Sequence, residues 1–245
     1  MMRLDRYLVT LGCGSRSQLQ KEIRRGAVTV DGAVQRDPGY ACAENAAISL
    51  NGTELDTRLT RHVMLYKPAG LLTAARDKKQ PTVMDLLPEQ YAALGCMPVG
   101  RLDKDTTGLL LLTTDGELNH RLLAPVRHVD KVYLAEVDGS LDATAVRAFA
   151  DGLDLGDFES RDALLEIQES RPDFARARVT VHEGKFHQIK RMFEAIGRTV
   201  TMLHRERFGP LVLDTALQPG QWRELTAQET EALYRSAQME AQFHE

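Results

Sequence analysis

Residues 100–116 read GRLDKDTTGLLLLTTDG. The consecutive leucines Leu109–Leu112 leave no polar position for a wet face, so they predict a short strand buried on both sides. The residues before them are polar turn formers, which puts Asp103 at the rim of a core. A carboxylate held there is either a turn residue capping Thr106 and Thr107 or the centre of chemistry.

Outward from this strand the pattern is rich in strands. Apolar and β-branched runs predict strands at 62–67, 97–102, 109–113, 131–137, 163–168, 175–182, 199–204 and 211–213. Helical periodicity predicts helices near 116–123, 142–151 and 185–197, and Thr226 with Glu229 forms a capping box that starts a last helix. Several strands follow one another with no helix between them. The fold class is therefore α+β, on a mainly antiparallel mixed sheet with flanking helices, and not a doubly wound sheet.

The first part of the chain reads differently. Leu4, Tyr7, Leu8 and Leu11 form one helical stripe that Gly12 and Gly14 end. Ser15 or Ser17 caps a second helix, closed by Gly26. Leu19 and Ile23 face inward, whereas Arg16, Gln20 and Arg24 form a row on another face, with Lys21 and Arg25 beside it. VTVDGAV (28–34) is a hairpin signal with its turn at Asp-Gly. The polar run ELDTRLTR (54–61) reads as a linker that leaves the interdomain angle variable. The expected division is a small domain at 1–58 (two helices plus short strands), a larger one at 59–236 and an acidic tail at 237–245, whose helix frays past Ser236.

Composition narrows the function. The chain has 245 residues, 43% hydrophobic and 27% charged, an ordinary globular balance. Its three cysteines are scattered, which argues against a disulfide framework or structural zinc and fits a reducing cytoplasm. No apolar run approaches the ~20 residues of a membrane helix, and the N-terminus lacks the apolar core of a signal peptide. The net charge of −4 is unevenly spread. Residues 1–36 hold seven basic side chains against three acidic ones, and residues 185–207 hold six against two. Residues 224–245 hold one against five. Two basic zones suit a polyanionic partner better than the total suggests.

The motifs carry a family resemblance. Met2-Arg3-Leu4-Asp5, Ser15-Arg16 and VTVDG resemble the small RNA-binding domain named after ribosomal protein S-four. By that resemblance Arg3, Arg16, Lys21, Arg24 and Arg25 contact phosphates. GRLDxxTTGLLL resembles the central motif of pseudouridine synthases acting on ribosomal RNA. YKPAG (66–70), KVYLAEV (131–137) and EGKFHQIKRMFEAIG with LHRERFG (183–209) resemble that family's other motifs in matching order. The N-terminal domain and the LHRERFG ending are most similar to the small-subunit rRNA enzymes.

The reaction explains the residue types. Pseudouridine is an isomer of uridine: uracil leaves the sugar at nitrogen 1, turns, and rejoins through carbon 5. Nothing is oxidised, so no cofactor and no metal are expected, and neither GxGxxG nor GxxxxGK[ST] occurs. One ionised carboxylate is needed beside the ribose, as nucleophile or as base, and the residues leave that choice open. The resemblance assigns Asp103 to it. Lys190 takes the place of the basic partner that keeps it charged, with Arg191 the alternative if the register slips by one. Tyr133 matches the tyrosine that stacks on uracil, and Leu203 the hydrophobic floor of the pocket. The target base must be flipped out. Arg101 resembles the arginine that fills the gap; its other reading is a salt bridge to Asp103 or Asp105. Lys67, Lys131, Lys185, His187, Arg191, His204, Arg205 and Arg207 complete the expected RNA contacts.

The expected function is isomerisation of one uridine in 16S rRNA, by resemblance uridine-516. The substrate is free RNA or a partly assembled small subunit. Expected with it are a cytoplasmic location, a monomer, no membrane and no obligatory protein partner. The alternatives are the same chemistry on 23S rRNA, or an RNA-binding assembly factor whose motif is vestigial.

Overall fold

The computed structural model describes residues 1–43, 46–124 and 129–240. The end of the predicted acidic tail, 241–245, lies outside the described residues. The leucine stretch forms strand β9 (Thr107–Thr113), buried from Gly108 onward. Leu110 and Leu112 pack into one hydrophobic cluster with Val63, Leu65, Tyr133 and Phe193. Leu109 and Leu111 pack into another with Met64, Leu118, Phe208 and Leu233. An unbroken apolar run is what a strand between two cores requires.

The N-terminal part has its own core. Strand β1 (Met2–Arg3) leads into α1 (Leu4–Thr10), α2 (Arg16–Arg25) and the hairpin β2 (Val28–Val30) and β3 (Ala33–Gln35). β4 (Ala41–Cys42), β5 (Ile48–Leu50) and β6 (Thr53–Glu54) follow. β2, β3, β5 and β6 form a four-stranded sheet, and β4 pairs with β1. Asp31 and Gly32 both have positive φ (50° and 78°), the turn that matches strand twist. Leu4, Leu8, Leu19, Ile23, Val28 and Ile48 fill the cluster beneath.

The larger sheet begins with β7 (His62–Lys67). A 3₁₀ turn (Val83–Leu86), α3 (Glu89–Ala93) and β8 (Met97–Pro98) precede β9. Then come α4 (Gly116–Leu123), β10 (Lys131–Asp138), α5 (Ala143–Asp151), β11 (Leu164–Arg171) and β12 (Phe174–Val181). The chain ends in α6 (Gln188–Ala195), β13 (Val200–Phe208), β14 (Leu211–Val212), β15 (Trp222–Glu224) and α7 (Ala227–Ser236). The strand order is β11-β12-β10-β13-β9-β7-β15, and β8 and β14 add to β9 and β13. Every pairing is antiparallel except β13 with β9. The sheet is thus mixed and mainly antiparallel.

That parallel pairing explains Gly108. It lies opposite Arg205 with φ +105°, and a Cβ there would sit 2.3 Å from the Arg205 carbonyl oxygen. Only glycine permits this approach, which brings the loop after Arg101 against β13.

Several expectations change. The strand expected at 97–102 pairs only at 97–98, and the rest is the loop carrying Asp103. The helix expected at 185–197 runs over Gln188–Ala195, because His187 at its N-cap takes a left-handed conformation (φ 50°). β15 and the short helices at 83–93 escaped sequence reading, being too brief for periodicity to register. The 54–61 segment is tied down. Arg61, 4% exposed, pairs with Asp56 at 2.8 Å and with Glu224 of β15 at 2.9 Å. Arg58 reaches Glu224 at 3.0 Å, and the Tyr7 hydroxyl donates to the Thr57 carbonyl at 2.9 Å.

Candidate active site

One cleft gathers residues from five parts of the chain. It is lined by Arg101, Leu102, Asp103 and Thr106 of the loop before β9 and by Tyr133 of β10. Val181 at the end of β12, Leu203 of β13, and the run into α6 and its first turn (Glu183, Gly184, Lys185, His187, Gln188, Ile189 and Lys190) complete it. Asp103, Tyr133, Lys190 and Leu203, far apart in sequence, thus share one space.

Each is placed by a local cause. Backbone bonding from Thr106 N–H to the Asp103 carbonyl (3.1 Å) closes the loop as a turn and turns the carboxylate towards α6. Tyr133 and Leu203 alternate inward on neighbouring strands, next to Arg205 and Ala135 in register. Lys190 stands on α6, whose Ile189, Met192 and Phe193 anchor it in the core.

The electrostatics centre on Asp103. His187 Nε2 lies 3.5 Å from one carboxylate oxygen and Lys190 Nζ 3.5 Å from the other. Lys190 also donates to both oxygens of Asp105, at 2.6 and 2.8 Å. That bond, with the lysine charge, holds the Asp105 carboxyl below its usual range against partial burial. Arg191, the alternative partner, turns away to the Leu155 carbonyl and Asp157. Arg101 is exposed and has no ion pair to Asp103 or Asp105 among the described residues.

Three of the expected RNA contacts, Lys67, Lys131 and Arg205, are buried. Lys67 is fully buried. Its ammonium donates to the carbonyls of Pro68 (2.9 Å), Lys104 (3.2 Å) and Thr106 (2.9 Å). It therefore supports the loop around Asp103 from beneath. Burial pushes it down to about 8, opposed by the nearby Asp105 and Asp103 carboxylates. Lys131 is also buried and donates to the Val129 carbonyl at 2.6 Å. Burial, and then the Arg205 charge, push it down to about 8. Arg205 is 2% exposed. The three therefore present little or no surface to a phosphate.

Arg205 instead backs the cleft. Its Nε donates to the Leu109 carbonyl at 2.7 Å, and one terminal nitrogen lies 3.5 Å from the Tyr133 hydroxyl. The guanidinium packs over the Phe208 and Tyr133 rings, 5.2 and 5.9 Å from their centres. Its other terminal nitrogen has no hydrogen-bond partner among the described residues.

The remaining expected residues divide. Lys185 and His187 line the cleft. His204 and Arg207 line a separate groove with Tyr66, Glu206 and Val212. His204 alternates to the other sheet face, and a bulge between the pairs Val132–Arg207 and Tyr133–Arg205 sends Arg207 the same way. Burial lowers His204, and Thr107 Oγ1 bonds its Nδ1 at 2.8 Å. On α2, Lys21, Arg24 and Arg25 are exposed, with Arg25 paired to Glu22. Arg3 and Arg16 remain more than half exposed but are held by the buried Asp5 at 3.2 and 3.1 Å. Thr106 was not singled out from sequence; its buried hydroxyl has no hydrogen-bond partner among the described residues, and only its place in a threonine doublet hinted at it.

Among the described residues no group of three or more His, Cys, Asp or Glu could hold a metal ion, and no helix is long and apolar enough to cross a membrane.

The chain is similar to known proteins over nearly its whole length. The S4 domain family matches residues 2–48. A ribosomal small subunit pseudouridine synthase A of Pseudomonas aeruginosa is 42% identical over 93% of this chain and 98% of that protein. Its Escherichia coli K12 namesake is 37% identical over 93% and 98%. An uncharacterised RNA pseudouridine synthase, YtzG of Bacillus subtilis, is 37% identical over 95% and 98%. A crystal structure of a pseudouridylate synthase superposes with a TM-score of 0.65 at 33% identity, over 95% of this chain and all of that one. The RNA pseudouridylate synthase family matches residues 61–195, which include Asp103, Tyr133 and Lys190, and the chain belongs to that family.

Proposed function

We propose that the protein converts one uridine of small-subunit ribosomal RNA to pseudouridine, with uridine-516 of 16S rRNA the target. The observation that carries this is the convergence of Asp103, Tyr133, Lys190 and Leu203 on one cleft. The target nucleotide flips out of its strand at a cost of a few kcal/mol. Arg101, exposed and unpaired on the lip, enters the gap. Uracil then lies against Tyr133 with Leu203 beneath it. The Asp103 carboxylate, flanked by Lys190 and His187, acts on the ribose as nucleophile or base and releases uracil as an anion at nitrogen 1. The ring turns and carbon 5 bonds the anomeric carbon, displacing the Asp103 carboxylate if it had attacked there, or as Asp103 returns the ribose proton if it had taken one; the carbon 5 proton is then lost while nitrogen 1 gains one. A positively charged wall favours both the carboxylate and the transient uracil anion.

In this account residues 1–58 hold the RNA through Lys21, Arg24 and Arg25, with Arg3 and Arg16 assisting. Residues 59–236 carry the chemistry, and the protein works as a cytoplasmic monomer. The named small-subunit relatives support the target.

Tritium release from 5-tritiated uridine in a 16S fragment tests the chemistry. The wild-type protein releases label, and Asp103→Asn binds RNA without releasing it. Equal release by that variant would end the proposal. Pseudouridine mapping of both rRNAs after gene deletion tests the target, and a site lost from 23S rRNA overturns the 16S assignment alone.

A further inference from the structure

We propose that Phe186, backed by His187, is a stacking platform for the nucleobase beside the flipped uridine, which rests on the RNA-modifying function proposed above. Phe186 is 72% exposed. An exposed phenylalanine by itself is ordinary; this one is held in a defined orientation. The His187 ring stacks on it with centroids 3.8 Å apart and planes 17° from parallel. One face of the phenyl ring is therefore covered and the other is free.

The backbone supports the pair. Neighbouring side chains on an extended segment point apart. His187 adopts φ +50°, a left-handed conformation disfavoured for a non-glycine residue. Such strain persists where the surroundings enforce it, and here it lets two consecutive rings lie parallel.

The position gives the platform its use. His187 lines the cleft, and its Nε2 lies 3.5 Å from Asp103. Lys185, on the other side of Phe186, lines the same cleft. The stack thus begins beside Asp103, and its outer ring, Phe186, is exposed between two chain neighbours that line the cleft. Flipping the target leaves its neighbour without a stacking partner on one side. Proteins that hold single-stranded RNA replace such contacts with aromatic faces set among cations, in a sequence-tolerant way. A ring pinned against His187 loses little further freedom on binding, which favours that use.

The test uses the full chain and a 16S rRNA fragment containing uridine-516, with 2-aminopurine placed on either side of the target in separate samples. The wild-type protein quenches one of the two probes on binding. Phe186→Ala loses that quench and weakens binding about ten-fold, raising KM while kcat stays within about two-fold. Phe186→Trp restores binding and quench; Phe186→Leu, apolar but without a π face, does not. Absence of quench with wild-type protein at both positions, unchanged affinity in Phe186→Ala, or full rescue by Phe186→Leu each overturns the platform. Pseudouridine formation by wild-type protein with an unaffected Phe186→Ala rejects the platform and keeps the function. A Phe186-dependent quench without product from the wild-type protein does the reverse.

Discussion

Lys190 lies nearer to Asp105 than to Asp103: its ammonium is 2.6 Å from the former and 3.5 Å from the latter. Asp105 is 73% exposed on its side chain, so water screens that pair and its strength is modest. Asp103 is 26% exposed, and substrate in the cleft would dry it further and strengthen its attraction to Lys190. Lys190→Met is expected to lower kcat about 100-fold, matching loss of one preorganised charge. Asp105→Asn, which frees the ammonium, should change kcat less than about three-fold. Single-turnover rates on the same RNA separate the two, and an equally severe Asp105 variant would place the essential pair there.

Arg205 and Tyr133 face each other on paired strands, with the guanidinium 3.5 Å from the hydroxyl. Lysine in place of Arg205 keeps the charge but cannot also hold the Leu109 carbonyl with a planar fork. Arg205→Lys is expected to cost about 1–3 kcal/mol of stability and to slow kcat about ten-fold. In a double-mutant cycle with Tyr133→Phe the rate effects should fall short of additive. Full additivity in the kinetic cycle would mean that the two side chains act separately.

Lys67 bridges three backbone carbonyls under the loop that carries Asp103. Lys67→Met leaves those carbonyls short of a donor, at about 1–3 kcal/mol for a buried unsatisfied group. The melting temperature should fall by several degrees and kcat more than KM, since the loop aims Asp103 while RNA is held elsewhere. Calorimetry with steady-state kinetics checks both, and a KM-only effect would indicate a direct RNA contact.

Asp5 is buried and accepts from Arg3, Gln20 and Arg16. The Arg3 hydrogen bond, then those from Gln20 and Arg16, hold its carboxyl far below the ordinary 3.8, against the upward push of burial. A lowered acid contributes stability that is complete above the unfolded value and is lost as pH falls through the folded one. Asp5→Asn should therefore be less stable by about 2–3 kcal/mol at neutral pH, with the gap closing below about pH 4. Denaturant titrations of both proteins across that range test the sign. A gap that stays constant with pH would assign the loss to packing.

Much of the site was legible because its chemistry sits in short local patterns. Asp103 stood out by preceding a run that only a doubly buried strand accommodates. Tyr133 stood out by its match to the family's tyrosine, and strand alternation puts it on the opposite face from Val132 and Leu134. The burial of Lys67, Lys131 and Arg205 was not legible. Basic residues in a basic stretch look alike, and only neighbouring strands decide whether such a side chain meets water or carbonyl oxygens. The same limit hid Phe186, whose meaning comes from the backbone angle of the next residue.

By itself the sequence determined the periodicities, the hairpin turn at Asp31-Gly32, the doubly buried strand and the kinds of side chain available for catalysis. These depend on neighbours a few positions apart, where alternation and helical pitch act. The tertiary structure alone decided which charges meet. Coulomb attraction and desolvation depend on distance and on the surrounding medium. Lys190 and His187 each come to 3.5 Å from the Asp103 carboxylate only after β13 lies along β9 at Gly108 and α6 packs across the loop.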